Sequence, residues 1–132
     1  MKPEDLCKGG TEHGHQMALF CWANQHVEQW PVLKWMYAIP NGGERNIIVA
    51  ASLKAEGVKS GVSDVCLPVA KKYPNNEVAN EFNGLYIEMK KPNGKESKEQ
   101  KDFGAFVQQQ GYAYHCCDHW EKARDVLIAY LT

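Results

Sequence analysis

Gly84-Leu85-Tyr86-Ile87-Glu88-Met89-Lys90 is the stretch on which the reading of this chain turns. Leu85, Ile87 and Met89 alternate with Tyr86, Glu88 and Lys90, the period of a strand with one apolar and one polar face. Glu88 and Lys90, two residues apart, point to the same side. Burying either charge unpaired is costly, so they need each other, water or a metal ion. That leaves two readings, an active-site pair or a surface salt bridge.

Outward from this strand, Pro92-Asn93-Gly94 stops it, and residues 71–83, polar and containing Pro74-Asn75-Asn76, read as an exposed connection. Residues 58–61 form a short loop into a second strand, 62–69, which contains Asp64. Alone, Asp64 is a strand-edge or turn carboxylate. If the two strands form a hairpin, it lies beside Glu88. Neighbouring carboxylates repel, and a hard divalent cation resolves the repulsion; oxygen ligands favour Mg2+ or Mn2+ over zinc. The Met89 backbone carbonyl is a further candidate ligand, with its side chain packed inward, and Lys90 then stands beside the attacking water. Metal-assisted hydrolysis of a phosphodiester follows from this set.

The rest of the chain supplies a frame. Residues 1–10 look like a loose lead-in. Thr11 caps a helix running to about residue 29, with Leu19, Trp22, Ala23, His26 and Val27 at helical apolar spacing and Gly14 weakening its first turn. Trp30-Pro31 breaks it, 33–39 reads as a strand closed by Pro40, and Asn41-Gly42-Gly43 is a turn. Residues 46–56 are helical, with Gly57 as C-cap. Ser97 opens a helix with Phe103, Phe106 and Val107 inward, and residues 112–117 make a fourth strand. Asp118 with Glu121 resembles a capping box for a last helix whose core face is Trp120, Ala123, Val126, Leu127 and Tyr130. The order is α-β-α-β-β-α-β-α: an α/β fold, a small central mixed sheet with helices on both sides, in one domain over residues 1–132.

Composition bounds the partners. With 132 residues, 44% hydrophobic and 23% charged, the chain has enough apolar material for a core and is not disordered. No apolar run approaches the ~20 residues needed to span a membrane, and Met1-Lys2-Pro3-Glu4-Asp5 lacks a signal peptide's apolar segment, so a cytosolic location is expected. A net charge of −1 does not advertise a nucleic-acid binder, though a local patch suffices. Lys91, Lys95 and Lys98 supply such a patch or a solvated loop. Five cysteines without CxxC spacing read as free thiols. His115-Cys116-Cys117-Asp118-His119, with His13 and His15, raises a structural zinc site, but adjacent cysteines on a strand point to opposite faces and paired ligand spacing is missing.

Asp64 followed by Glu88-Met89-Lys90 matches the D…ExK signature of the PD-(D/E)xK nucleases. The wider order is more specific: Glu12…Gln16, Ile39-Pro40-Asn41-Gly42-Gly43, Leu53-Lys54-Ala55-Glu56-Gly57-Val58, Gly61-Val62-Ser63-Asp64, the Glu88 strand, Ser97…Gln100 and Gly111-Tyr112. From about Thr11 to the end, this resembles the virus-type replication-repair nuclease (VRR-Nuc) domains. Ser63 departs from the proline of the superfamily name, at a position that shapes backbone rather than binding metal.

The resemblance implies a restriction-endonuclease-like fold, with Asp64 and Glu88 as metal ligands and Lys90 as the catalytic lysine. Glu12 resembles the first-helix acid of many relatives; it also reads as a favourable charge at a helix N-terminus. Gln100 resembles a glutamine that faces the site; with Ser97 it also reads as a capping box. The loop Asn41-Gly42-Gly43-Glu44-Arg45 is expected near the DNA path, its small residues admitting phosphate and Arg45 contacting it. Lys54, Lys59 and Lys91 are phosphate-contact candidates and equally ordinary surface lysines. Trp22, Trp30, Trp35 and Trp120 read as core or interface. The function implied is a Mg2+- or Mn2+-dependent DNA endonuclease of phage or bacterial type, acting in the host cytoplasm on branched or structured DNA such as four-way junctions. A homodimer is implied, since cutting two strands in concert takes two single-site subunits. Two other classes compete: a nuclease fold kept only to bind nucleic acid, and a structural zinc protein built on His115 to His119.

Overall fold

The alternating stretch forms the strand its period predicts, and the sheet is built around it. The computed structural model describes residues 1–40 and 47–132. Its elements run α1 (Pro3–Leu6), α2 (Glu12–Gln25), a 3-10 turn (Pro31–Trp35), β1 (Tyr37–Ala38), α3 (Ile47–Ala55), β2 (Val65–Leu67), β3 (Lys71–Tyr73), β4 (Asn76–Phe82), β5 (Leu85–Met89), α4 (Lys98–Gln109), β6 (Ala113–Cys117) and α5 (Trp120–Leu131). The main sheet has the order β1-β2-β5-β6. β2 is antiparallel to both β1 and β5, whereas β6 runs parallel to β5, so the sheet is mixed as expected.

The two faces of β5 divide the molecule. Leu85, Ile87 and Met89 enter one buried cluster with Leu19, Trp22, Ala123 and Leu127, so α2 and α5 cover that face. Each of these strand side chains is worth about 1.5–3 kcal/mol of burial. On the other face Tyr86 meets Phe103 of α4 edge-on, at 5.3 Å between ring centroids. There α4 lies so close to β6 that a Cβ on Gly104 would stand 2.6 Å from the Tyr114 ring. Helices thus flank the sheet on both sides.

Several local expectations are corrected. Residues 1–10 are not loose: α1 buries Pro3, and Gln25 Nε2 donates to the Met1 carbonyl at 2.6 Å. Gly14, weak as a helix former, makes this possible, because a Cβ there would meet the Leu6 carbonyl at 2.7 Å. α2 stops at Gln25 rather than near residue 29. The first part of the expected strand 33–39 lies in the 3-10 turn, since Pro31 at its start favours a helical first turn, and only Tyr37–Ala38 pairs.

The strand expected over 62–69 is confined to Val65–Leu67, with Asp64 just before it. The polar connection 71–83 is a two-stranded hairpin, β3-β4, with an irregular register. It buries no residue fully, so no apolar alternation marked it in the sequence. β2 and β5 therefore pair antiparallel across an inserted hairpin, not as a simple one. In α4, Gly104 and Val107 take the buried positions, while Phe106 is 58% exposed. α5 is capped by His119, whose ring accepts the Glu121 N–H, rather than by Asp118. Asp118 instead accepts the Asn93 N–H at 3.1 Å and pairs with Lys122 at 2.6 Å.

Candidate active site

Strand register brings the first two acids together. Val65 lies opposite Ile87, so one more residue along each chain sets Asp64 opposite Glu88. Glu12 arrives from α2, whose first turn is set by Thr11 Oγ1 accepting the Gly14 N–H at 2.9 Å. Carboxylate oxygens of Glu12, Asp64 and Glu88 all lie within 4.8 Å of one another. Asp64 is 7% exposed and Glu88 only 1%, so the polar face of β5 is buried here rather than open to solvent.

The contacts around these acids are asymmetric. Asp64 Oδ2 accepts the Met89 N–H at 2.8 Å, taking the place of a strand partner just before β2 begins. Glu88 Oε1 accepts from Gln100 Nε2 at 2.8 Å and lies 3.6 Å from the Lys90 ammonium. Glu88 Oε2 is buried with no donor in reach. Leaving such an acceptor unsatisfied costs about 1–3 kcal/mol, more when charged. Burial, and then the Asp64 carboxylate through charge and a shared hydrogen bond, hold the Glu88 pKa far above the ordinary carboxylate range, with Lys90 opposing. A hydrogen bond between two carboxyls exists only when one keeps a proton, so that contact and the orphaned oxygen describe the same deficit. Burial and Asp64 also raise Glu12, again against Lys90.

Both readings of Gln100 hold at once. Its Oε1 accepts the Ser97 N–H at 2.8 Å and its own N–H donates to Ser97 Oγ at 3.2 Å, a complete capping box, while Nε2 serves Glu88. Sequence reasoning missed Tyr114, whose hydroxyl donates to Glu96 and lies 3.4 Å from the Gln100 carbonyl. Only the parallel register of β5 and β6, invisible in the sequence, sets it there.

Other expected residues fall elsewhere. Lys54, Lys59 and Lys91 are exposed, and nothing ties them to the acids. Asn41, Gly42, Gly43 and Arg45 lie outside the described residues. Trp22 and Trp120 are core, Trp30 packs against it, and Trp35 is exposed beside Lys34. The zinc reading fails on geometry. His15 and His119 have ring centroids 4.5 Å apart, but Nδ1 of each already accepts a backbone N–H, from Trp120 and Glu121. Cys117 is buried and Cys116 exposed, as alternation requires. Among the described residues, the three acids are the one group of histidine, cysteine or acidic side chains close enough to share an ion.

These residues fit a hard divalent cation. Three carboxyl groups converge against one lysine, a buried carboxylate oxygen lacks a donor, and the donor set is all oxygen. No helix among the described residues is long and apolar enough to cross a membrane.

No curated protein matches the chain. A solved structure of a VRR_NUC domain protein superimposes with a TM-score of 0.71 at 24% sequence identity, covering 91% of this chain and 87% of that one. At that identity the likeness establishes the fold. The family model described as the VRR-NUC domain matches residues 10–120. With most of its length matched, this nuclease-type fold belongs to the VRR-NUC domain family.

Proposed function

We propose that the chain is a divalent-metal-dependent endonuclease that hydrolyses phosphodiester bonds in DNA. The observation carrying this reading is the buried, donor-less Glu88 Oε2 inside the Glu12, Asp64, Glu88 cluster, with Lys90 at its edge. A fold kept only for binding phosphates gains nothing from three acids that repel them.

Asp64 and Glu88 would hold Mg2+ or Mn2+, with Glu12 as a further acidic ligand. The Met89 carbonyl is the fourth candidate. An extended residue directs its N–H and C=O to the same edge, and the Met89 N–H already faces Asp64. When bound, the cation stabilises charge on the phosphoryl oxygens and lowers the pKa of water. Lys90 brings a cationic donor to the point where negative charge develops and helps orient the attacking water. Gln100 holds Glu88 in place through the same oxygen, Oε1, that Lys90 approaches. Asn41, Gly42, Gly43 and Arg45, with Lys54, Lys59 and Lys91, are the proposed phosphate contacts.

The proposed substrate is branched or otherwise structured DNA, such as a four-way junction, and the proposed assembly is a homodimer, both by family likeness. Ile47 and Ile48 on α3, 86% and 82% exposed, support self-association. The test uses labelled junction, flap, linear duplex and single-stranded DNA with Mg2+, Mn2+ or EDTA, beside Glu88→Ala. Cleavage that needs metal and Glu88 supports the proposal. Tight binding without cleavage under either metal would establish the silent DNA binder instead.

A further inference from the structure

We propose that Ser97 is a positioning residue for the acidic site, fixing through its capping pair with Gln100 the direction in which the Gln100 amide donates to Glu88. The functional consequence rests on the reading of Glu88 as a metal ligand.

The two ends of the Gln100 amide meet different partners. Gln100 Oε1 is occupied by the Ser97 N–H at 2.8 Å, so its NH2 group must turn away, and it turns to Glu88 Oε1 at 2.8 Å. A flipped amide would set an oxygen against a carboxylate and an NH2 group against an N–H, losing both bonds. The sense of the hydrogen bond on Glu88 is therefore decided at the helix cap.

The backbone of this first turn is braced from several sides. Tyr114 reaches toward the Gln100 carbonyl, Ser60 donates to Glu99, and a Cβ on Gly61 would stand 2.7 Å from the Glu99 carbonyl. Ser97 Oγ, at 3.2 Å from the Gln100 N–H, closes the turn itself. An N-cap ordinarily stabilises a helix end and nothing else. Here the capping bonds also hold a donor on a buried carboxylate. Outer-shell partners of this kind typically change metal affinity ~10–100-fold when lost.

The test compares wild type with Ser97→Ala, Ser97→Thr and, as a control for general destabilisation of the same helix, Val107→Ala. Two quantities are read: water exchange of the Gln100 side-chain amide by NMR without metal, and the dissociation constant for Mn2+ alone. Ser97→Ala keeps the backbone N–H that Gln100 Oε1 accepts and loses only the Oγ that closes the turn, so amide exchange is expected to rise above the wild-type rate and Mn2+ binding to weaken about tenfold. Ser97→Thr, which keeps a hydroxyl, should retain both properties, and Val107→Ala should lower the melting temperature while moving neither. A Ser97→Ala protein with a protected amide overturns the proposal, as does a Val107→Ala protein that loses protection equally. Should wild type bind no Mn2+, the metal reading falls, and amide exchange still decides the role of Ser97.

Discussion

β5 and α3 are both short and rich in apolar residues, yet they have opposite fates. Leu85, Ile87, Glu88 and Met89 are buried, including the carboxylate, whereas Ile47, Ile48 and Val49 stand exposed and α3 buries no residue at all. Hydrophobicity therefore does not by itself decide what is inside. β5 is enclosed because it pairs on both edges and carries helices on both faces, and that enclosure is also the first cause of the raised Glu88 pKa. An acid on α3 would be solvated and ordinary.

The largest expected contrast is in activity. Glu88→Ala or Lys90→Ala should reduce metal-dependent cleavage by about a hundredfold or more, measured on labelled DNA at saturating Mn2+. Full activity in either variant sinks the proposed mechanism. Next comes packing. Ile87→Ala should cost about 2–5 kcal/mol in denaturant unfolding, because a filled site between two helices cannot collapse around the missing atoms.

The third prediction concerns pH. Glu88 binds its proton more tightly folded than unfolded, so between its ordinary value of 4.5 and the raised folded value the native state holds more protons. Without metal, Glu88's contribution to stability is therefore greatest below that window and is lost as pH rises through the folded pKa. Glu88→Gln should flatten this part of the melting profile. Protons compete with the cation, so the Mn2+-induced rise in melting temperature should grow with pH over the same window. A rise independent of pH would place the ion elsewhere.

The last two effects are small. Ser63 Oγ is buried with no partner, so Ser63→Ala should be neutral or stabilising by up to ~1 kcal/mol, and a loss above that would reveal a hydroxyl partner. On α3, Ile47→Ser and Ile48→Ser should change folding stability by less than ~0.5 kcal/mol in dilute solution. Light scattering at high concentration sharpens the contrast: Ile48→Glu should reduce the mass from two chains to one if a second copy covers this helix.

How much of this was legible in the sequence follows the same division. The alternation of Leu85, Ile87 and Met89 marked β5 because its faces differ, and the spacing of Asp64, Glu88 and Lys90 marked the acids. The β3-β4 hairpin carried no signal, since none of its residues is fully buried and no apolar face alternates along it. Pro31 hid a 3-10 turn inside a run of aromatic and branched residues that looked like strand. The capping box at Ser97 was visible as a local pattern, and the acid it serves was visible as another. Their meeting was not, because it depends on how α4 crosses the sheet, which Gly104 and Tyr114 set across a gap in sequence.

The bond from the Met89 N–H to Asp64 has an experimental use beyond holding the acid. It makes one amide in the middle of the chain an internal gauge of the site. Strand amides normally report on sheet opening, but this one is protected by a side chain expected to bear metal. Its exchange rate, followed against added Mn2+, would separate local rearrangement of Asp64 from unfolding of the sheet, for which the amide of Lys90, bonded to the Cys117 carbonyl, is the neighbouring reference.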